Sequence, residues 1–319
     1  MHEAYSSGLL VWHVYCDKRS VLESLQAPTH HSHIISFVTS LVGAYSGSAI
    51  SNYLYGLRDW HLLHCMDWKL NTLEIEALLK RVAKLALDSS PRQSYTLDFI
   101  TKVSKKLDLH LRSDAAIYAC LSISFYSVAW VSEVMVPWLN AFDPMKHITP
   151  ANLQTSSNQY RAEVTVLHIP HTKAAPLKGE DIYWSCHPSP TNPYEALANH
   201  RQINRPGDSN HFFTYHHKGK LRPLTKHTFI RQVADAAHAA GLNPLQGHGI
   251  QIGATLFNLL RGTPFEAVKV MGQWSSDAFL RYLRKYDQIL APYIRVNPDI
   301  HHSFSHFIMP SQATLQGHH

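Results

Sequence analysis

Charge is scarce in this chain. Asp, Glu, Lys and Arg together make up 16% of its 319 residues, and no stretch is charged enough to stay unfolded for want of apolar burial. Cysteine is scarcer still. Cys16, Cys65, Cys120 and Cys186 lie far apart and none belongs to a Cys-x-x-Cys pair. That excludes a disulfide-stapled scaffold and a cysteine-built zinc module, and fits reduced thiols in a nuclear or cytoplasmic protein. Long hydrophobic runs are missing too. Residues 115–131 come nearest, but Ser122, Ser124 and Ser127 interrupt them and Asp114 and Glu133 flank them. They fall short of the roughly 18 uncharged apolar residues that a membrane span needs, and read as a buried core helix with no membrane partner. Met1–Ser7 is polar and has no basic region, so a secretory leader is not expected. Internal repeats and low-complexity blocks are also lacking.

What is present is 45% hydrophobic sequence, a net charge of +6, a pI near 9.0 and 24 histidines. The length suggests about two domains, and the basic balance favours an anionic partner. Residues 1–88 read as helical. Ile34, Phe37, Val38, Leu41 and Val42 recur at the spacing of one helix face. Ser46 is a candidate N-cap for the next helix, which runs to about His64. Asn71 with Glu74 three residues later has the pattern of a reciprocal cap for a fourth, ending near Leu87. Residues 89–95, with Pro91, read as a linker.

Residues 96–319 read as a mixed domain. Thr96 can cap a helix through Leu107, and the apolar run that carries Trp130 follows. Residues 162–169 alternate and are β-branched, predicting a strand. Residues 172–179 are a turn, 181–186 a partner strand, 188–193 a proline-rich loop, 196–202 a short helix and 212–215 a short strand. Helices are expected over 225–240, 248–261, 264–271 and 277–290, three of them stopped by Gly241, Gly262 and Gly272. The fold class expected is mainly α with a small β-sheet, a helical N-terminal domain preceding a mixed α/β one.

Four features of the second half carry chemistry: Lys173 in a turn after a strand, His248-Gly-Ile-Gln251 opening a helix, Gly272-Gln-Trp274, and Tyr282 eight residues later. A tyrosine hydroxyl can attack a DNA phosphate and hold the broken strand as an ester. Cationic donors must meet the charge that develops on the phosphate oxygens, and a lysine or histidine must move protons. This order and spacing resemble the tyrosine recombinase (integrase) family, especially recombinase-like proteins of fungal genomes. The segments that carry the resemblance are 248–255, 271–282, 132–137 and 142–144. It covers nearly the whole chain and implies a helical core-binding domain and a DNA breaking-rejoining domain closing on double-stranded DNA. It also implies assembly as a homo-oligomer, typically a tetramer, and no cofactor. By this resemblance Tyr282 matches the nucleophile, Lys173 the lysine that protonates the leaving oxygen, and His248 the head of a His-x-x-Arg motif. Trp274 matches the residue against the scissile phosphate, and Glu133 the acidic scaffold residue.

Two positions depart from the family pattern. Trp130 stands where the first phosphate-clamping arginine belongs, and Gln251 where the second does. An indole has one donor and no charge, and a carboxamide is neutral. Arg112, Arg161 and Arg261 lie outside the motif positions. The expectation is therefore a DNA-binding recombinase homologue with impaired cleavage. A working recombinase with a rearranged clamp and a non-catalytic interaction scaffold remain the alternatives. Candidate DNA contacts are Arg58, Lys80, Arg81 and Lys84 in the first domain. In the second they are Lys102, Lys105 and Lys106, the denser set Lys218, Lys220, Arg222 and Lys226, and Arg281, Arg284 and Lys285 beside Tyr282. The histidines of the tail lack a ligand-like spacing, and no metal site is expected.

Overall fold

The structure is a computed structural model that describes residues 2–68, 70–85, 93–157 and 163–274. It divides into two compact units, before and after the bond between Pro91 and Arg92.

Among the described residues the first unit holds four α-helices: α1 (His2–Arg19), α2 (His31–Leu41), α3 (Gly47–Leu63) and α4 (Thr72–Leu85). The starts of α3 and α4 are written in side-chain chemistry. The Ser46 hydroxyl accepts from the N–H of Ala49 at 3.3 Å. Asn71 Oδ1 accepts from the N–H of Glu74 at 2.8 Å while Glu74 Oε2 accepts from the N–H of Asn71 at 3.0 Å, so two orphan donors are satisfied reciprocally. The core joins Trp12, Tyr15, Phe37, Ile50, Leu54 and Leu57. Trp12 meets Phe37 edge-on at 5.2 Å. Gly8 lets α1 close on α3, because a Cβ there would stand 3.0 Å from the Tyr53 backbone.

The second unit is built around α6 (Arg112–Tyr126), buried at every position from Ala115 to Tyr126. Around it stand α5 (Leu97–Ser104), α7 (Pro193–Asn204), α8 (Lys226–Ala239), α9 (His248–Leu260) and α10 (Phe265–Met271). A three-stranded antiparallel sheet runs β1 (Leu153–Ser157), β2 (Glu163–Ile169), β3 (Glu180–Trp184), and a hairpin pairs β4 (Tyr215–His217) with β5 (Lys220–Arg222). The described residues are thus mainly helical with a small antiparallel sheet, as expected. No described helix is long and apolar enough to cross a membrane.

Three expectations need correction. Trp130 lies beyond α6, not within a helix. The helix ends at Tyr126 because Val128 turns left-handed (φ 58°) and the N–H of Ala129 reaches back to Ser124 O at 3.0 Å, the closure of a Schellman-type terminus. The proline-rich stretch ends inside a helix: Asn192 caps α7, accepting from the N–H of Tyr194, and Pro193 takes the first helical position, where its missing N–H costs nothing. The strand expected over 212–215 begins only at Tyr215. Phe212 and Phe213 are core residues, and the hairpin turns at Lys218 (φ 50°) and Gly219 (φ 77°), the two positive-φ positions of a type I′ turn. The helix expected over 277–290 lies outside the described residues.

Candidate functional site

Residues far apart in sequence converge on one pocket in the second unit. Trp130, Ser132 and Glu133 come from the turn after α6, and Lys173, Ala174 and Glu180 from the β2–β3 connection. Gln273 and Trp274 come from the residues after α10, and the cavity measures about 490 Å³. The sheet register sets the second group. Ile169 opposes Glu180, and the chain returns through Gly179, whose φ of 67° and closeness to the Ile169 carbonyl (2.1 Å to a notional Cβ) admit only glycine. Thr172 then donates its hydroxyl to Glu180 Oε2 and accepts from the N–H of Ala175 at 2.9 Å.

Glu133 ties the two walls together. Its Oε1 accepts from the backbone N–H of Lys173 at 3.1 Å, so the carboxylate holds the lysine's loop. Its Oε2 is buried without a hydrogen-bond partner. Burial is the main force pushing this carboxyl above its usual range, and the Glu180 charge adds to the rise. The Lys173 N–H and the charges of His171 and Lys173 oppose it.

His248 opens α9 and stacks on Trp130, ring centroids 5.4 Å apart and planes 25° from parallel. Gln251, one turn on, is 1% exposed. Its Nε2 makes a long 3.4 Å bond to Gly272 O, and its Oε1 is buried without a partner. Gly272 is needed where it stands, since a Cβ there would meet the Trp274 ring at 1.9 Å.

Lys173, His248, Trp274, Glu133, Trp130 and Gln251 therefore gather around one cavity and its immediate wall. Tyr282, Arg281 and Arg284, and Lys285 with them, lie outside the described residues, as does Arg161. Among the described residues no arginine lines the pocket. Arg112 sits at the start of α6, its carbonyl accepting from Asn204 at 2.9 Å. Arg261 stacks over Phe257 at 5.1 Å and meets the His187 ring. Gln273 and Glu180 are pocket residues that the sequence did not single out. Gln273 stands next to Trp274 in the Gly-x-Trp motif, and Glu180 follows the turn glycine. Both were legible only once the turn geometry was known.

The basic candidates fall into groups. Lys80, Arg81 and Lys84 are exposed on α4, and Arg58 is half-buried on α3. Lys218 and Lys220 are exposed on the β4–β5 hairpin, and Lys226 is the first residue of α8. Arg222 lines a groove of about 500 Å³ with Trp138, Tyr215 and His227. A bridge between Val136 and Thr225 couples the groove to the Glu133 segment: the N–H of Val136 donates to Leu224 O and the N–H of Lys226 to Val136 O. Lys102 is engaged by Asp98 at 2.8 Å, while Lys105 and Lys106 are exposed.

No family model matches the chain, and no curated protein matches it. Solved structures do. The chain is similar to the XerH site-specific recombinase bound to a palindromic difH substrate in a post-cleavage complex: TM-score 0.58, 12% identity, 92% of this chain and 79% of that one. It is also similar to a lambda integrase dimer bound to a COC′ core site: TM-score 0.53, 11% identity, 88% of this chain and 87% of that one. The pre-cleavage XerH complex gives a TM-score of 0.53 at 14% identity. By these likenesses the chain has the tyrosine recombinase fold.

Proposed function

We propose that the chain is a DNA-binding protein of the tyrosine recombinase type whose strand cleavage is lost or strongly impaired. The residues 1–88 would serve as the core-binding domain and 96–319 as the former breaking-rejoining domain, joined by 89–95. Double-stranded DNA would be the partner, engaged through phosphate neutralisation by the Lys80–Arg81–Lys84 face and the Lys218–Lys220–Arg222–Lys226 hairpin and helix start. Assembly on DNA as a homo-oligomer and a nuclear location belong to the same reading. Tyr282 takes the nucleophile's position, Lys173 the proton donor's, and His248 and Trp274 the positions beside the phosphate. Glu133 holds the Lys173 loop.

The single observation that carries the loss of cleavage is the occupancy of the pocket's wall. Trp130 stacks on His248, and Gln251 is buried against Gly272 O, at the two positions where the resemblance requires guanidinium groups. Removing one transition-state donor costs about 3–4 kcal/mol, and a catalytic arginine in phosphoryl transfer is worth about 10³–10⁵ in rate. The two losses need not add, but either alone leaves a very slow enzyme.

The test has two arms. The full chain should bind duplex DNA with an affinity that falls steeply as salt rises, and should form no covalent adduct with a suicide substrate carrying a nick. Trp130→Arg together with Gln251→Arg should raise adduct formation above background, and Tyr282→Phe should abolish that gain. A wild-type adduct that disappears in Tyr282→Phe would establish a working recombinase instead. Absence of duplex binding at low salt would leave an interaction scaffold.

A further inference from the structure

The described lining of the pocket also suits a ligand other than a phosphate. Its described ionisable lining is two carboxyl groups, Glu133 and Glu180, against one ammonium, Lys173. Carboxylate charge there would repel the negative charge of a backbone phosphodiester. The cavity's two indoles, Trp130 and Trp274, offer planar apolar surface, and its volume falls inside the roughly 300–1,000 Å³ typical of small-ligand sites. Some polar atoms of its lining residues have no partner. Both ends of the Gln273 carboxamide, Oε1 and Nε2, are buried without a hydrogen-bond partner, as is Glu133 Oε2. Buried polar groups without partners are uncommon and costly. Here three such atoms belong to residues that line one aromatic cavity.

An amide presents a donor and an acceptor side by side. That pair matches an exocyclic amine next to a ring nitrogen, the pattern glutamine reads on adenine. A carboxyl oxygen nearby can accept the second hydrogen of the same amine. Lys173 is exposed, so its ammonium stands at the rim, where the phosphate of the same nucleotide would lie. We propose that this pocket receives an unpaired nucleobase carrying an exocyclic amine, adenine or cytosine, from a single-stranded or locally opened nucleic acid. The base lies against the indoles, its amine and ring nitrogen meet Gln273 and Glu133, and its backbone stays outside. A thymine would turn its O4 carbonyl toward the carboxyl groups and be rejected. This inference rests on the DNA-binding reading but assigns the degenerate site a ligand of its own.

The experiment compares two pyrimidine homopolymers, dC15 and dT15, which differ at the 4-position, at N3 and in the 5-methyl group of thymine; dU15, without that methyl, serves as the control and should bind as dT15 does. Binding to the full chain is followed by tryptophan fluorescence and by anisotropy at one fixed salt concentration. The dC15 oligomer should bind about tenfold more tightly, the size expected for one good bidentate base contact, and should quench more tryptophan emission. Gln273→Met, which keeps the side chain's length and removes the amide, should erase the preference and leave duplex binding unchanged. Should that variant melt early, the wild-type comparison of dC15 with dT15 still decides. Equal affinities for the two oligomers, or a preference that survives in a folded Gln273→Met, would overturn the proposal. Duplex binding with no base preference would sink the pocket assignment alone, whereas failure to bind either strand form would sink the DNA reading beneath it.

Discussion

At the scale of single residues, Glu133 shows how position in the fold decides chemistry. One carboxyl oxygen organises the Lys173 loop, and the other is buried with no donor. Burial raises this group's pKa above the value it has in the unfolded chain. The sign follows from proton counting. Between the two values the folded state holds more protons, so stability falls as pH rises through that window, and the penalty is complete above it. Replacing the carboxyl by a neutral amide removes the penalty while an oxygen still accepts from the Lys173 N–H. Glu133→Gln should therefore raise the melting temperature at pH 8 and change it little near pH 4.5. A variant that melts earlier at pH 8 would mean that a cation pairs with the carboxylate or that the loop needs its charge. Gln251 is nearly fully buried but poorly bonded: its Nε2 makes one long bond and its Oε1 has no partner.

At the scale of elements, α9 is held by what it lacks. Gly249 and Gly253 lie one turn apart on the same face, and the strap of Gln93–Tyr95 runs directly over them. The N–H of Tyr95 donates to Gly249 O at 3.0 Å, and a Cβ on Gly253 would lie 1.9 Å from Tyr95 O. Neither glycine has a positive φ, so close approach alone requires them. Gly253→Ala should destabilise the second unit by at least the roughly 1–3 kcal/mol of an overpacked core, despite alanine's better helix propensity. Urea unfolding would read this, and a stabilised variant would mean that the strap lifts away at little cost. The glycines were legible in the segment 248–255, but the strap was not, because residues 89–95 are polar and hold a proline, which reads as linker. Caps were the most legible features. Ser46, Asn71 and Thr96 each accept the backbone N–H that their sequence context predicts, because a cap is a contact within four residues. Short strands were the least legible. β1 has no apolar alternation to announce it, and β4–β5 turns on a Lys-Gly pair outside the usual Asn-Gly signal. The pocket residues split along the same line. Motif spacing pointed to Lys173, His248 and Trp274, while Gln273 and Glu180 entered through backbone geometry that no local pattern encodes.

At the scale of the whole molecule, 24 histidines make stability a function of pH in both units, because several are buried neutral. In the first unit His61 is fully buried, bonded through Nδ1 to Leu57 O at 2.9 Å and through Nε2 to the Thr29 N–H at 3.3 Å. Burial lowers its pKa. In the second, His200 donates from Nε2 to Phe212 O at 3.0 Å and meets the Asn204 amide through Nδ1, and burial holds it down to about 4. His211, 1% exposed, accepts from the Phe213 N–H and has no partner at Nε2. Burial, with His147 and His200 beside it, brings it to about 3. Below the unfolded value of about 6.5 the unfolded chain takes up protons that the folded chain refuses, so stability falls as pH falls. Each such histidine contributes about 1.4 kcal/mol per pH unit until the folded value is reached. The second unit, with two of them, should lose stability more steeply between pH 6 and 4 than the first. Urea midpoints followed at each pH should show that slope, and His211→Gln should make it shallower without changing its sign. Midpoints that stay level from pH 7 to 4.5 would mean these imidazoles accept protons in place, which their buried, apolar surroundings argue against. The same coupling bears on the DNA binding proposed above. Phe212 donates its N–H to Ile148 O at 2.9 Å, and Phe213 O accepts from the N–H of Leu224. Protonating His200 or His211 would therefore loosen the backbone that seats the Lys218–Lys226 hairpin and helix start, and duplex affinity should peak above the pH at which this unit begins to open.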